Sequence, residues 1–125
     1  MKKYVYILIP LLIILSCNTS KNKKIDLEFI NIYKANINNG EKIFNKSCIV
    51  CHLHGTAGAT TLTNQKEWKD LIENKNKEEI FLNVFNGFLG KKGLMPQMGG
   101  CNSCSETDLF DAIEYILSIN RLTIN

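Results

Sequence analysis

The chain has no stretch of alternating polar and apolar residues and no internal repeat. A β-rich or repeat architecture therefore drops out, and helices joined by loops remain. There is no basic stripe with interleaved aromatics and no acidic tail, so nothing points to nucleic acid or to a charged interaction arm. The longest apolar run, Tyr4 to Leu15, falls well short of the roughly 20 residues that cross a bilayer as a helix, and Pro10 interrupts it. No strand–helix–strand pattern surrounds either Cys-x-x-Cys pair, which argues against a thiol–disulfide oxidoreductase. With 125 residues there is too little chain for two ordinary domains and enough for one small core.

What is present begins with Lys2 and Lys3, the apolar run, and the small residue Ser16 before Cys17. This is the layout of a secretory signal. Ile14-Leu15-Ser16-Cys17 resembles the lipobox of bacterial lipoproteins, which implies cleavage before Cys17 and acylation of that cysteine. The plainer alternative is an ordinary cleaved signal with a stray cysteine. Residues 1–16 are expected to be the lipoprotein signal and residues 17–37 the lipid anchor and tether. Asn18 to Lys24 is polar and lysine-rich, as a flexible tether would be. Ile25 to Ile37 carries Ile30, Tyr33 and Ile37 at a weak helical spacing, which suits either a short extra helix against the domain or more tether. The formal charge of +3 falls by the two charges of Lys2 and Lys3 on cleavage, so net charge indicates little about partners.

Cys48-Ile49-Val50-Cys51-His52 names a chemistry. C-x-x-C-H is the attachment signature of a c-type haem. Two thiols two residues apart can add to the two vinyl groups on one edge of a porphyrin, and the adjacent imidazole is then held beneath the iron. The cysteine count of five is odd and would leave a free thiol in an exported protein. Assigning Cys17 to lipid, Cys48 and Cys51 to haem, and Cys101 and Cys104 to each other leaves none over. Export also explains how a disulfide could persist. The rival from another class is a four-cysteine zinc module built from the two Cys-x-x-Cys pairs. Zinc would require neither the histidine after the first pair nor an export signal.

The domain proper is expected over residues 38–125. Asn39 could N-cap a helix running through Glu41-Lys42-Ile43-Phe44 into the C-x-x-C-H motif. Gln65 to Glu73 and Glu78 to Phe88 follow as helical stretches. Ile80, Phe81, Val84, Phe85 and Phe88 fall on one face of the latter. Gly87, Gly90 and Gly93 end it and open a loop that reaches Met95-Pro96. Ser105-Glu106-Thr107-Asp108 resembles a capping box with Asp in place of Glu or Gln. Leu109, Ala112, Ile113, Ile116 and Leu117 then form the apolar stripe of a last helix. The fold class expected is all-α.

Beyond the haem motif, residues from about Asn38 to Ser118 resemble a class I cytochrome c, and within it the cytochrome c-five subgroup. The resemblance rests on Gly40-Glu41-Lys42-Ile43-Phe44, on Gly93-Leu94-Met95-Pro96, and on Gly99-Gly100-Cys101-Asn102-Ser103-Cys104-Ser105 leading into Asp108-Leu109 and Ala112-Ile113-Glu114-Tyr115-Ile116. It implies a small helical fold wrapped round one covalent haem c, held by Cys48 and Cys51, with His52 and Met95 as axial ligands of the iron. Met98 is the second choice for the sixth ligand, and His54 is tied to the same side of the ring as His52. Gly40 and Phe44 would lie where the first helix crosses the last, against Tyr115. Trp68 would stand near a haem propionate or anchor its own helix. The family's usual proline after C-x-x-C-H, whose carbonyl orients the haem histidine, is replaced here by Thr60. The function implied is that of a membrane-anchored one-electron carrier, in the periplasm or on the outer face of the cell membrane, and not of an enzyme. Its partners would be redox proteins such as a membrane respiratory complex, an oxidase or a reductase, and it would work as a monomer. An open sixth site would instead mean a haem enzyme or sensor.

Overall fold

The computed structural model describes residues 28–124. The expected signal, the acylated Cys17 and the Asn18–Lys24 tether lie outside the described residues, as does Asn125. Among the described residues no helix is long and apolar enough to cross a membrane.

Two helices carry the frame. Helix α2, Ile37–Ile43, crosses α6, Glu106–Ile119. Where they cross, Gly40 lies against the backbone of Asp111; a Cβ there would come within 2.1 Å of the Asp111 carbonyl oxygen. One turn on, the Phe44 and Tyr115 rings meet at 5.6 Å, because residues i and i+4 share a helix face.

Asn36, and not Asn39, caps α2: its side chain accepts the Asn39 N–H at 3.1 Å. The Asn39 amide crosses to α6 and donates to Asp108 at 2.9 Å and to Asp111 at 2.8 Å. The reason is tertiary. Asp111 is only 1% exposed, and a carboxylate so buried needs donors. The Asn36 N–H is a further one at 2.8 Å. At the start of α6 the capping box is complete. Ser105 Oγ accepts the Asp108 N–H at 3.2 Å, and the Asp108 carboxylate accepts the Ser105 N–H at 2.9 Å.

The first helix reaches the C-x-x-C-H motif through a π-helical turn, Phe44–Cys48, in which the Ile49 N–H donates to the Phe44 carbonyl. It then resumes as α3, Ile49–His52. Such turns occur mostly as single insertions near functional sites. Here the extra residue leaves Phe44 facing α6 while Cys48 and Cys51 border the cavity described below.

Helices α4, Gln65–Asn74, and α5, Lys77–Asn86, are capped by Asn64 and Asn76. Gly87, at φ +81°, ends α5. Phe88 therefore leaves the apolar stripe expected for it and is exposed. It opens a two-stranded hairpin, β1 Phe88–Leu89 against β2 Leu94–Met95, closed by the Gly90 N–H donating to the Gly93 carbonyl at 2.9 Å. Two residues per strand are too few to leave an alternating pattern in the sequence.

The short helix α1, Glu28–Ile32, packs on the domain through Ile30, which is fully buried. Phe29 sets its ring edge against Phe81 at 5.4 Å and Phe110 at 6.1 Å, and Tyr33 meets Phe110 at 5.8 Å. Helix α5 serves both the core and the cavity: Phe81 and Phe85 join the core with α1 and α6, and Ile80 and Val84, packed on the same core, also form cavity wall.

Candidate functional site

A cavity of about 330 Å³ opens between the C-x-x-C-H helix, α4, α5, the hairpin and α6. Its walls are largely apolar, with Trp68, Ile80, Val84, Ile113, Ile116 and Leu117 among them. Three sulfur-bearing side chains, Cys48, Cys51 and Met95, and the imidazole of His52 border it together. Met95 lies 43 positions after His52 in the sequence, and the fold brings both to one space.

Neither Cys48 nor Cys51 is in a disulfide. Burial pushes the Cys48 thiol up to about 11. A thiol that stays protonated at neutral pH is a poor disulfide-exchange nucleophile. Cys101 and Cys104 are joined to each other, with Cα atoms 5.5 Å apart, and sit in the core away from this cavity. Among the described residues no group of three or more His, Cys, Asp or Glu side chains is placed to hold a metal ion. The four-cysteine zinc arrangement is therefore excluded by placement.

His52 is held by the chain that follows it. Its Nδ1 lies 2.7 Å from the Thr60 carbonyl oxygen. A carbonyl can only accept, so Nδ1 carries the proton and Nε2 keeps its lone pair, the tautomer a metal ligand needs. The Thr60 carbonyl does this without proline's fixed φ. The segment is positioned instead by the His52 carbonyl accepting the Leu62 N–H at 2.6 Å and by Thr60 Oγ1 donating to Glu67 at 2.8 Å. Trp68 stands beside the imidazole, ring centres 5.7 Å apart. Its indole N–H is spent on the Thr61 carbonyl at 2.9 Å, so it acts as wall and anchor and has no N–H left for a propionate. His54 is exposed and does not border the cavity.

The hairpin brings Met95 to the same cavity. Met98 does not line the cavity; it packs against the core cluster instead, at φ +55°. The two turns that carry these groups are tied directly, since Ser47 Oγ donates to the Gly99 carbonyl at 2.9 Å and Lys46 to Ser103 at 2.9 Å. The cavity rim is charged. Lys92 pairs with Glu67 at 2.7 Å, and this bond with that from Thr60 holds the Glu67 carboxyl below its ordinary range.

An apolar prosthetic group that takes thiol attachment from Cys48 and Cys51 and donors from His52 and Met95 would suit this cavity. The sequence had already singled out Cys48, Cys51, His52 and Met95. It did not reveal the Glu67–Lys92 pair or the buried Asp111. The signal for Asp111 was a charged residue among Leu109, Phe110, Ala112 and Ile113. The ion pair joins the first turn of α4 to the hairpin turn, which share no periodicity, and it left no signal.

Comparison with known proteins agrees with this geometry. Residues 35–116 match the family model described as cytochrome C oxidase, cbb3-type, subunit III. Cytochrome c-555 of Chlorobaculum thiosulfatiphilum is 28% identical over 82 residues, covering 66% of this chain and 94% of that protein. Cytochrome c6 of Petalonia fascia is 35% identical over 83 residues, covering 66% and 91%. Among solved structures, a chain from a crystal structure of an electron transfer complex of nitrite reductase with cytochrome c superposes with a TM-score of 0.59 at 27% identity, covering 70% of this chain and all of the other. The curated relatives are electron-carrier cytochromes and not enzymes, and proteins of this kind hold one covalent haem c. From the C-x-x-C-H helix to the matched family, the chain belongs to the class I monohaem cytochromes c, in the cbb3-type subunit III family.

Proposed function

We propose that this cytochrome is a membrane-anchored one-electron carrier outside the cytoplasm, of the c-five-like kind, with Cys48 and Cys51 holding the haem and His52 and Met95 as its axial ligands. The observation that carries the reading is that these four side chains border one apolar cavity while Met98 points into the core. The haem supplies the Fe(III)/Fe(II) couple; the polypeptide sets its potential, excludes water and presents its edge. His52, with Nδ1 committed to Thr60, offers Nε2 in a fixed orientation. A thioether opposite it favours the ferrous state and raises the potential relative to a second histidine. Apolar walls disfavour the more highly charged ferric centre and act in the same direction.

Two variants separate the ligands. Met95→Ala should abolish the weak charge-transfer band of the oxidised protein, lower the potential and open the reduced iron to carbon monoxide, whereas Met98→Ala should do none of these. The reverse pattern would move the ligand to Met98. No change in either would mean an open site and a different function.

The anchor rests on Ile14-Leu15-Ser16-Cys17. Two or three acyl chains at Cys17 would give stable attachment where a single chain would not. Labelling with a palmitate analogue should mark the wild type and not Cys17→Ser, and detergent but not high salt should release the protein from membranes. An unlabelled protein in the soluble fraction would make this a diffusing cytochrome. The likeness to a cytochrome c solved with nitrite reductase supports redox proteins as the partners.

A further inference from the structure

The hairpin that presents Met95 and the loop that orients His52 touch each other at two glycines. A Cβ on Gly58, which sits at φ +80°, would lie 2.1 Å from the Lys92 carbonyl oxygen, and a Cβ on Gly93 would lie 1.9 Å from that of Ala57. Each Cα therefore faces the other segment's carbonyl at a distance only a hydrogen allows. This backbone seam runs along the cavity rim, with all four residues among those that line it.

One carboxylate bridges the seam. Glu67 accepts from Thr60 Oγ1 through one oxygen, at 2.8 Å, and from Lys92 Nζ through the other, at 2.7 Å. Thr60 is the residue whose carbonyl holds His52, and Lys92 lies three residues before Met95 on the hairpin. Glu67 is itself fixed, its backbone N–H donating to the Asn64 cap at 3.2 Å. The chain of contacts runs from the support of one axial group to the element that carries the other.

We propose that Glu67 and Lys92 are positioning residues that latch the Met95 hairpin to the His52 loop across the Gly58–Gly93 seam, keeping the methionine side of the haem pocket closed. The proposal rests on the His52/Met95 reading above only in what the closed hairpin covers; the latch itself is a property of the hairpin. The Lys92 and Glu67 side chains are 63% and 33% exposed, so the pair adds little to global stability. It acts on the opening of a two-residue hairpin, where local free energies are small enough for such a pair to matter.

The test uses the holoprotein and two readouts: hydrogen exchange of the Gly90 amide, which donates across the hairpin turn, and the rate of carbon monoxide binding to the reduced protein. Lys92→Met and Glu67→Ala should each speed both by about two- to fivefold, as loss of a weak exposed pair allows. The double variant should be no faster than Glu67→Ala alone, because Lys92 has already lost its partner there. Lys92→Arg should restore wild-type rates, and Lys91→Met, which removes the neighbouring charge, should leave them unchanged. Gly93→Ala should open the seam outright and accelerate both by more than tenfold. Unchanged Gly90 exchange in Lys92→Met and Glu67→Ala, or equal acceleration by Lys91→Met, overturns the latch. Faster exchange with unchanged carbon monoxide binding upholds the latch and refutes Met95 as the group it covers.

Discussion

Gly40→Ala tests the helix crossing on which the pocket is built. The added Cβ would stand 2.1 Å from the Asp111 carbonyl oxygen and 2.8 Å from Tyr115 Cβ, where a carbon–oxygen contact needs about 3.3 Å. Neither neighbour is the end of a flexible side chain, so α2 and α6 must part by about 1 Å. A gap of that size forfeits a quarter to a half of the dispersion energy across the interface. It also strains the bonds that Asn36 and Asn39 make to Asp111, both 2.8 Å long. Overpacking of this kind costs about 1–3 kcal/mol and sometimes more. Alanine's better helix propensity returns only about 0.5–1 kcal/mol. A net loss of about 1–2 kcal/mol should lower Tm by about 4–16 °C for a domain of this size. Urea and thermal unfolding of the oxidised holoprotein, followed by far-UV circular dichroism and haem absorbance, would measure it. Gly90→Ala is the matched control: its Cβ would press on the ring of the exposed Phe88 at 3.0 Å and meet the Gly93 carbonyl oxygen at an ordinary 3.5 Å. If Gly40→Ala unfolds within about 0.5 kcal/mol of wild type, the crossing is not close-packed and the reasoning fails.

Asn120 is 4% exposed and donates to the Leu62 and Ile116 carbonyls at 2.7 and 2.8 Å. Asn120→Leu should cost about 1–3 kcal/mol in urea unfolding by stranding the Leu62 carbonyl. The Ser105 backbone N–H and the Asn39 amide hold the Asp108 carboxyl below its ordinary range. Its stabilisation is complete above the unfolded carboxylate pKa of about 3.9 and is lost as pH falls through the lower folded value. Asp108→Asn should therefore flatten the acid limb of a stability–pH curve. Burial raises the Glu114 carboxyl, with Lys77 opposing. Stability should then fall as pH rises from the unfolded to the folded pKa, and Glu114→Gln should stabilise the protein at neutral pH in thermal melts. A neutral or destabilising result would show that Lys77 outweighs desolvation.

The residues one after another along the chain were enough to specify what is local. C-x-x-C-H demands two thiols and an imidazole on one short helical segment. The capping box at Ser105 and the stripe from Leu109 to Leu117 follow from 3.6-residue periodicity, and the structure places them as expected. Asn39 looked like a cap because its type suits one. Asn36 took that role because the buried Asp111 carboxylate, 72 positions along the chain from Asn39, needed the Asn39 amide. Phe88 looked like part of a stripe until Gly87 turned the chain into a hairpin whose strands are too short to show a period. Met95 and Met98 are the same residue type three positions apart. Only the folded hairpin brings one to the cavity and sends the other to the core. The Glu67–Lys92 pair and the Gly58–Gly93 seam join segments that share no periodicity. Their contact exists because α4 and the hairpin close on the same apolar space, and closure of that space is a property of the whole packed chain.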